Sequence, residues 1–164
     1  MTVVLYTNSG FNEGRIKQKP SVFLAGPTPR TPSTPSWRPE AVSIFKKRKF
    51  DGHIFVPEDS DNAFIIDDDE KVFDWMYQVT WETKMLKLAD VIMFWIPRNM
   101  KTMPGLTTNV EYGMWIIQRP EKVVLGFPDW ACNTNYLKYH AEEKDIPVVY
   151  TLEATVIEVI KKLR

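Results

Sequence analysis

A chain of 164 residues with 21 Lys and Arg against 21 Asp and Glu carries no net charge, so no global field draws it to DNA, RNA or an anionic membrane. Its 44 % hydrophobic and 13 % aromatic residues exclude a disordered chain and suit a packed globular protein. The only cysteine, Cys132, excludes an internal disulfide, reads as a small buried side chain, and fits a reducing, cytoplasmic compartment.

A single domain, 1–164, is the simplest organisation at this length, and it buries roughly 68–70 % of the unfolded chain's surface. No apolar run approaches the ~20 residues of a membrane span, and no signal-peptide pattern opens the sequence.

In chain order, residues 3–7 read as an additional edge strand. Residues 21–26 (SVFLAG) form a buried strand. The stretch 27–39 (PTPRTPSTPSWRP) is an exposed loop or polyproline spacer by composition. By position, directly after the first core strand, it belongs to the ligand end of a sheet. A helix over 37–49 and a strand over 53–57 (HIFVP) follow. The acidic run 59–71 (DSDNAFIIDDDEK) is a solvated loop by charge and lacks EF-hand spacing. Phe64, Ile65 and Ile66 within it suggest a lid or a subunit contact.

A helix over 73–89 leads into residues 90–96 (DVIMFWI), whose uninterrupted apolar run suits a central strand covered on both faces. Pro97, Pro104 and Gly105 break the chain into a loop. Thr107, Thr108 and Asn109 offer N-cap side chains to a helix over 108–118. Strand 122–127 (KVVLGF), helix 135–143, strand 147–151 (PVVYT) and helix 152–163 complete the chain. Five core strands alternating with helices argue for right-handed βαβ units and a parallel sheet.

Several familiar sites are missing from the sequence. There is no GxxxxGK[ST] loop, no GxGxxG fingerprint and no GxSxG elbow. One cysteine with His53 and His140 does not make a zinc site; His53 begins a strand and His140 lies on a surface helix. Neither a metal nor a cofactor is expected.

Chemistry therefore falls to carboxylates. Glu111 is placed in the first turn of its helix, where free N–H groups and the positive helix end favour the ionised form. That state suits a nucleophile, although a Glu at a helix start is also ordinary. Gln78 and Glu82 stand at i and i+4 on one face of the preceding helix, with Trp75 and Trp81 flanking them. The pair suits a planar, hydrogen-bonding ring, or equally a solvated stripe on an amphipathic helix. Ligands bind at the carboxyl ends of strands in open α/β sheets, which puts the loop before Glu111 where chemistry happens.

Taken in order, VFLAGP (22–27), SWRPEA (36–41), FVPED (55–59), WE…L..AD (81–90), FWIPR (94–98) and PGLTTNVEYG (104–113) resemble the nucleoside 2-deoxyribosyltransferase family. The likeness is closest to its deoxyribosyltransferase-like branch of bacteria and phages, and it covers most of the chain. It implies a flavodoxin-like, doubly wound, five-stranded parallel sheet with helices on both faces. Glu111, in the EYG element, matches the family's nucleophile. Glu82, eight residues before Asp90, matches a base-contacting carboxylate, with Glu in place of the usual Asp. Asp90 itself reads as structural.

The implied reaction resembles that of retaining glycosidases. Glu111 attacks the anomeric carbon of a nucleoside or nucleotide, and a second base or water completes the exchange. Glu82, with Gln78, holds the base and helps to protonate it. Asn109 bonds the sugar or orients Glu111. Gly26, Pro27, Arg30, Gln78, Trp81, Gly105 and Thr108 are the expected substrate-binding positions, and Arg30, Ser33 and Thr34 suit a 5′-phosphate. The implied partners are a nucleoside or nucleotide, a free nucleobase and further copies of the chain in a dimer or larger homo-oligomer.

Two departures stand out. Better-characterised transferases carry a Tyr on the first core strand, which here reads Val22, Phe23, Leu24, and an Asp where Gly105 stands. Both departures keep N-glycoside hydrolysis and a nucleotide-binding sensor open beside base exchange. A peptide module built on the proline-rich loop is a more distant alternative.

Overall fold

The apolar run at 90–96 takes the middle of a parallel sheet, as its lack of polar alternation requires. The computed structural model describes residues 1–9, 13–16, 18–60 and 75–164. Among them are strands β1 (Val3–Tyr6), β2 (Ser21–Ala25), β3 (His53–Val56), β4 (Val91–Trp95), β5 (Val123–Gly126) and β6 (Val148–Val149). The helices are α1 (Glu13–Ile16), α2 (Arg38–Lys47), α3 (Trp75–Leu88), α4 (Leu106–Gln118), α5 (Asn135–Glu142) and α6 (Leu152–Lys162). No helix among the described residues is long and apolar enough to cross a membrane.

All strand pairs are parallel, in the order β1-β3-β2-β4-β5-β6. The five strands β3-β2-β4-β5-β6 keep the expected flavodoxin-like winding. The sheet has six strands rather than five because residues 3–6 add β1 beside β3, with Val3 opposite His53 and Tyr6 opposite Val56. From β2 the chain winds outward to β3. It then crosses back and winds the other way through β4, β5 and β6. The reversal lies between β2 and β4, and a crevice opens at the carboxyl ends there.

Side-chain alternation sets the layers. Phe23 and Ala25 of β2, with Ile92 and Phe94 of β4, pack under α3, α4 and α5 through Trp81, Met85, Tyr112, Ile116 and Leu137. Val22 and Leu24, with Val91, Met93 and Trp95, pack under α2 and α6 through Ala41, Phe45, Val156 and Val159. Helices thus cover both faces. At the opposite end of the sheet from the crevice, Asp90 accepts bonds from the backbone N–H and hydroxyl of Ser21, both at 2.8 Å, which ties the start of β2 to β4.

Helix α4 starts at Leu106, two residues before the side-chain caps of Thr108 and Asn109 suggest. Its N-cap is Gly105, held in the left-handed region at φ 66° and ψ 44°, and no side chain caps the helix. Glycine adopts this conformation without steric cost. The earlier start moves Glu111 out of the first turn. The acidic stretch with Phe64, Ile65 and Ile66 lies outside the described residues.

Candidate active site

Two glycines bring the walls of the crevice together. A Cβ on Gly26 would stand 2.1 Å from the carbonyl oxygen of Trp95, so only glycine lets the ends of β2 and β4 approach this closely. A Cβ on Gly105 would stand 3.2 Å from Pro27 Cβ, which sets the start of α4 against the loop after β2. That proline-rich loop is not a loose spacer. The Arg30 N–H donates to Thr102 O at 2.8 Å, and Trp37 Nε1 donates to Pro27 O at 3.1 Å.

The crevice is a cleft of about 880 Å³, within the range of small-molecule sites. Of the expected positions, Gly26, Pro27, Arg30, Gln78, Glu82, Gly105, Thr108 and Glu111 all line it. Phe23, Ala25, Trp75, Val79 and Leu106 supply apolar wall. Thr108 is buried within α4 instead of capping it.

Four expected residues stand elsewhere. Trp81 is 4 % exposed and packs into the core against Phe23, with ring centroids 6.4 Å apart. Position 81 falls on the sheet-facing stripe of α3 together with Met85, so only Trp75 flanks the Gln78–Glu82 pair in the cleft. Asn109 does not line the cleft either. Its Oδ1 accepts from Nη2 of the buried Arg98, whose Nη1 donates to Asn133 O at 2.8 Å. The hydroxyls of Ser33 and Thr34 bond to that of Thr31, at 3.2 and 2.9 Å, and neither residue lines the cleft.

The carboxylates meet. Glu82 on α3 and Glu111 on α4 share a hydrogen bond. Gln78 Nε2 donates to Glu82 Oε1 at 2.6 Å and to Pro57 O at 3.4 Å. Burial pushes Glu111 up to about 8, and the neighbouring Glu82 charge and hydrogen bond add to this against the pull of Arg38. Burial also raises Glu82, while Gln78, Arg38 and the bond from Glu111 hold it back. Two carboxyls in contact cannot both ionise cheaply, so they share one proton near neutral pH. In the resting site Glu111 donates it to Glu82. The expectation of an ionised Glu111 is corrected here. In the second turn of α4 it is beyond the free N–H groups of the helix start, and burial beside Glu82 dominates.

Sequence reasoning missed Arg38. It is 2 % exposed, lines the cleft and is the cation acting on both carboxyls. Its Nε donates to Leu24 O at 3.1 Å and its Nη2 to Gly26 O at 2.7 Å. Nη1 donates to Thr28 Oγ1 at 3.1 Å and pairs with Glu58. The signal was present in the sequence. Arg38, Ala41, Val42 and Phe45 follow helical spacing, and a charge on an otherwise apolar stripe is rare unless paired.

The family model described as nucleoside 2-deoxyribosyltransferase like matches residues 19–130. That span runs from the start of β2 through α4 to the turn after β5, and it contains every cleft residue named above. No curated protein matches the chain.

Proposed function

This chain belongs to the nucleoside 2-deoxyribosyltransferase-like family, and we propose that it cleaves the N-glycosidic bond of a nucleoside or nucleotide and passes the sugar to a second base through a covalent glycosyl–Glu111 intermediate. The carrying observation is that Glu82 and Glu111 line one cleft within hydrogen-bond reach of each other, and their burial favours one proton held between them. Two-carboxylate glycosyl chemistry needs one group ionised and one protonated at the same pH.

When substrate enters, the shared proton passes from Glu111 to Glu82. The Glu111 carboxylate then attacks the anomeric carbon. The C–N bond breaks, its electron pair leaves with the base, and Glu82 gives its proton to a base nitrogen. The products are free base and a glycosyl ester on Glu111. In the second half, the Glu82 carboxylate takes a proton from an incoming base, whose nitrogen attacks the same carbon and releases Glu111. Arg38 keeps the site's negative charge tolerable throughout. Carboxyls in hydrogen-bond contact leave no room between them for the interposed water of an inverting mechanism, which favours the covalent route.

The rim of the cleft favours a second reading, in which water replaces the incoming base and the substrate carries a 5′-phosphate. Arg30 lines the cleft and is exposed, and its guanidinium, without a side-chain partner among the described residues, suits a phosphate clamp. The substrate-binding roles of Gly26, Pro27, Gly105 and Thr108 are those of cleft wall. Asn109 acts as a tether of α4 rather than as a sugar ligand, and Trp81 as core support beneath Phe23.

One chromatographic experiment tests both readings. The protein is incubated with deoxynucleosides, ribonucleosides and their 5′-monophosphates, each with and without a second free base, beside Glu111→Ala. A new nucleoside formed only with the second base identifies transfer. Base released without an acceptor identifies hydrolysis. Product that persists in Glu111→Ala, or no product from any substrate, defeats the proposal.

A further inference from the structure

The Gln78 side-chain amide has a fixed orientation. Its NH2 group faces two acceptors, Pro57 O at 3.4 Å and Glu82 Oε1 at 2.6 Å. Turning the amide over would set its oxygen against both of them. The orientation therefore follows from chemistry and is not a choice between equivalent placements. Both hydrogens of the NH2 are committed, and Oε1 has no partner among the described residues. Gln78 lines the cleft beside Glu82 and Glu111, so what it offers a ligand is an acceptor.

Glu82 stands next to that acceptor and, in the reaction proposed above, is the group that gives up a proton. The edge presented to the base is thus one donor beside one acceptor. A base that fits must present an acceptor ring nitrogen beside a hydrogen-donating substituent. The N7/N6 edge of adenine and the N3/N4 edge of cytosine have this pattern. Hypoxanthine presents two acceptors at N7 and O6. Uracil and thymine present a donor at N3 beside an acceptor at O4, the reverse order. For an oxo base, the carbonyl would meet Gln78 Oε1 with no hydrogen between them, and rotation of the amide is blocked by Pro57 and Glu82.

We propose that the cleft selects nucleosides of 6-aminopurines and 4-aminopyrimidines over their oxo counterparts, with Gln78 Oε1 accepting from the amino group while Glu82 serves the adjacent ring nitrogen. The selection rests on the N-glycosidic reading for its kinetic consequence, but its binding consequence stands without turnover. A site that leaves a buried polar group facing a like group rejects the mismatched ligand strongly. Adenine and hypoxanthine differ only at the 6-position and its coupled ring proton, which makes them the cleanest pair.

The test compares kcat/KM for the deoxy- and ribonucleosides of adenine and hypoxanthine and their 5′-monophosphates, in wild type and Gln78→Met. Calorimetric binding of free adenine and free hypoxanthine is measured on the same proteins. The expected result is a preference of about tenfold or more for the amino member. It should collapse to within about threefold in Gln78→Met, with kcat/KM for the oxo member falling least. Equal use of both members by wild type overturns the proposal, as does a preference that survives in Gln78→Met. If no substrate turns over but adenine still binds more tightly than hypoxanthine in a Gln78-dependent way, the base selection stands and the reaction fails. If neither turnover nor a binding preference appears, both fail. The wild-type comparison decides the matter even if Gln78→Met does not fold.

Discussion

Glu111 of α4 donates a hydrogen bond to Glu82 of α3, so two helices that are separate in the chain hold one proton between them. Both helices reach the β2–β4 switch point only because the chain reverses its winding there. The protonation state of the site is therefore a product of topology, and it links activity to pH and stability.

The first prediction concerns pH. Glu111 titrates at about 8 in the folded protein against about 4.5 when unfolded. Below 4.5 both states hold the proton and nothing is gained or lost. Between 4.5 and 8 the unfolded chain releases it while the folded protein keeps it, so this group makes stability fall as pH rises through that window. Glu111→Gln removes this group's share of the dependence, while Glu82, also raised by burial, keeps its own. Its melting temperature should match wild type near pH 4.5 and exceed it at pH 8, by on the order of 2 kcal/mol or ~5 °C. Activity should fall by about a thousandfold or more in the same variant. In wild type, kcat/KM should decline above pH 8 as the shared proton is lost. A wild-type protein whose thermal stability rises between pH 5 and pH 8 relative to Glu111→Gln would contradict the assignment.

Arg38 predicts a loss of both stability and function. Its guanidinium satisfies the carbonyls of Leu24 and Gly26 and pairs with Glu58, whose side chain is 10 % exposed. Arg38→Met leaves Glu58 buried without its cation, which costs about 3–5 kcal/mol. Urea denaturation reads this directly. Arg38→Lys should rescue little, because an ammonium cannot reproduce the planar fork. The substitution also removes the charge that holds Glu82 and Glu111 down, so any residual activity should shift its alkaline limb upward. A cost below about 1 kcal/mol would show that the network is dispensable.

Much of this was legible in the chain. The run from Val91 to Trp95 announces a central strand because a parallel strand covered on both faces has no polar side to show. Glu111 and Glu82 were legible as carboxylates on helices next to the ligand end. Their contact is not legible, because it depends on how two helices far apart in the chain pack together, which the periodicity of either helix alone does not fix. The start of α4 is not legible from side-chain caps, because Gly105 caps it by backbone conformation alone. Trp81 is ambiguous from sequence, because an aromatic next to a polar pair looks the same whether it faces a cleft or, as here, the sheet. Arg38 is hard to read as a site residue because one charge on α2 by itself does not reveal from sequence that it points inward, buried against the cleft.

Two glycines of the same segment should respond in opposite directions to alanine. Gly105 sits at φ 66° with its Cβ direction 3.2 Å from Pro27, so Gly105→Ala pays for strain and crowding together, about 1–2 kcal/mol. Because Gly105 starts the helix that carries Glu111, kcat should drop more than stability does. Gly113, two residues past Glu111, has nothing within 4 Å of its Cβ direction and lies inside α4. Gly113→Ala should stabilise by up to about 1 kcal/mol. Denaturant midpoints for the two variants check the sign, and a common sign would refute this account of α4.

The outer face of α4 predicts self-association. Leu106, Val110, Met114 and Ile117 are 61 %, 62 %, 52 % and 70 % exposed, and their spacing puts them in one stripe along the helix. Four large apolar side chains in a row on a solvent face mark an interaction surface. The stripe begins at Leu106, which also lines the cleft, so a partner seated on it would border the rim of the site. A second copy of the chain is the occupant we expect, since the zero net charge raises no barrier to it. Light scattering should then give a mass of at least two chains, and Val110→Glu with Ile117→Glu should return the monomer while leaving the fold intact by circular dichroism. KM should rise with dissociation, because the rim is left open to water. A wild-type protein that is monomeric at tens of micromolar and whose KM does not change in the double variant would remove the self-association proposal without touching the Glu82–Glu111 chemistry.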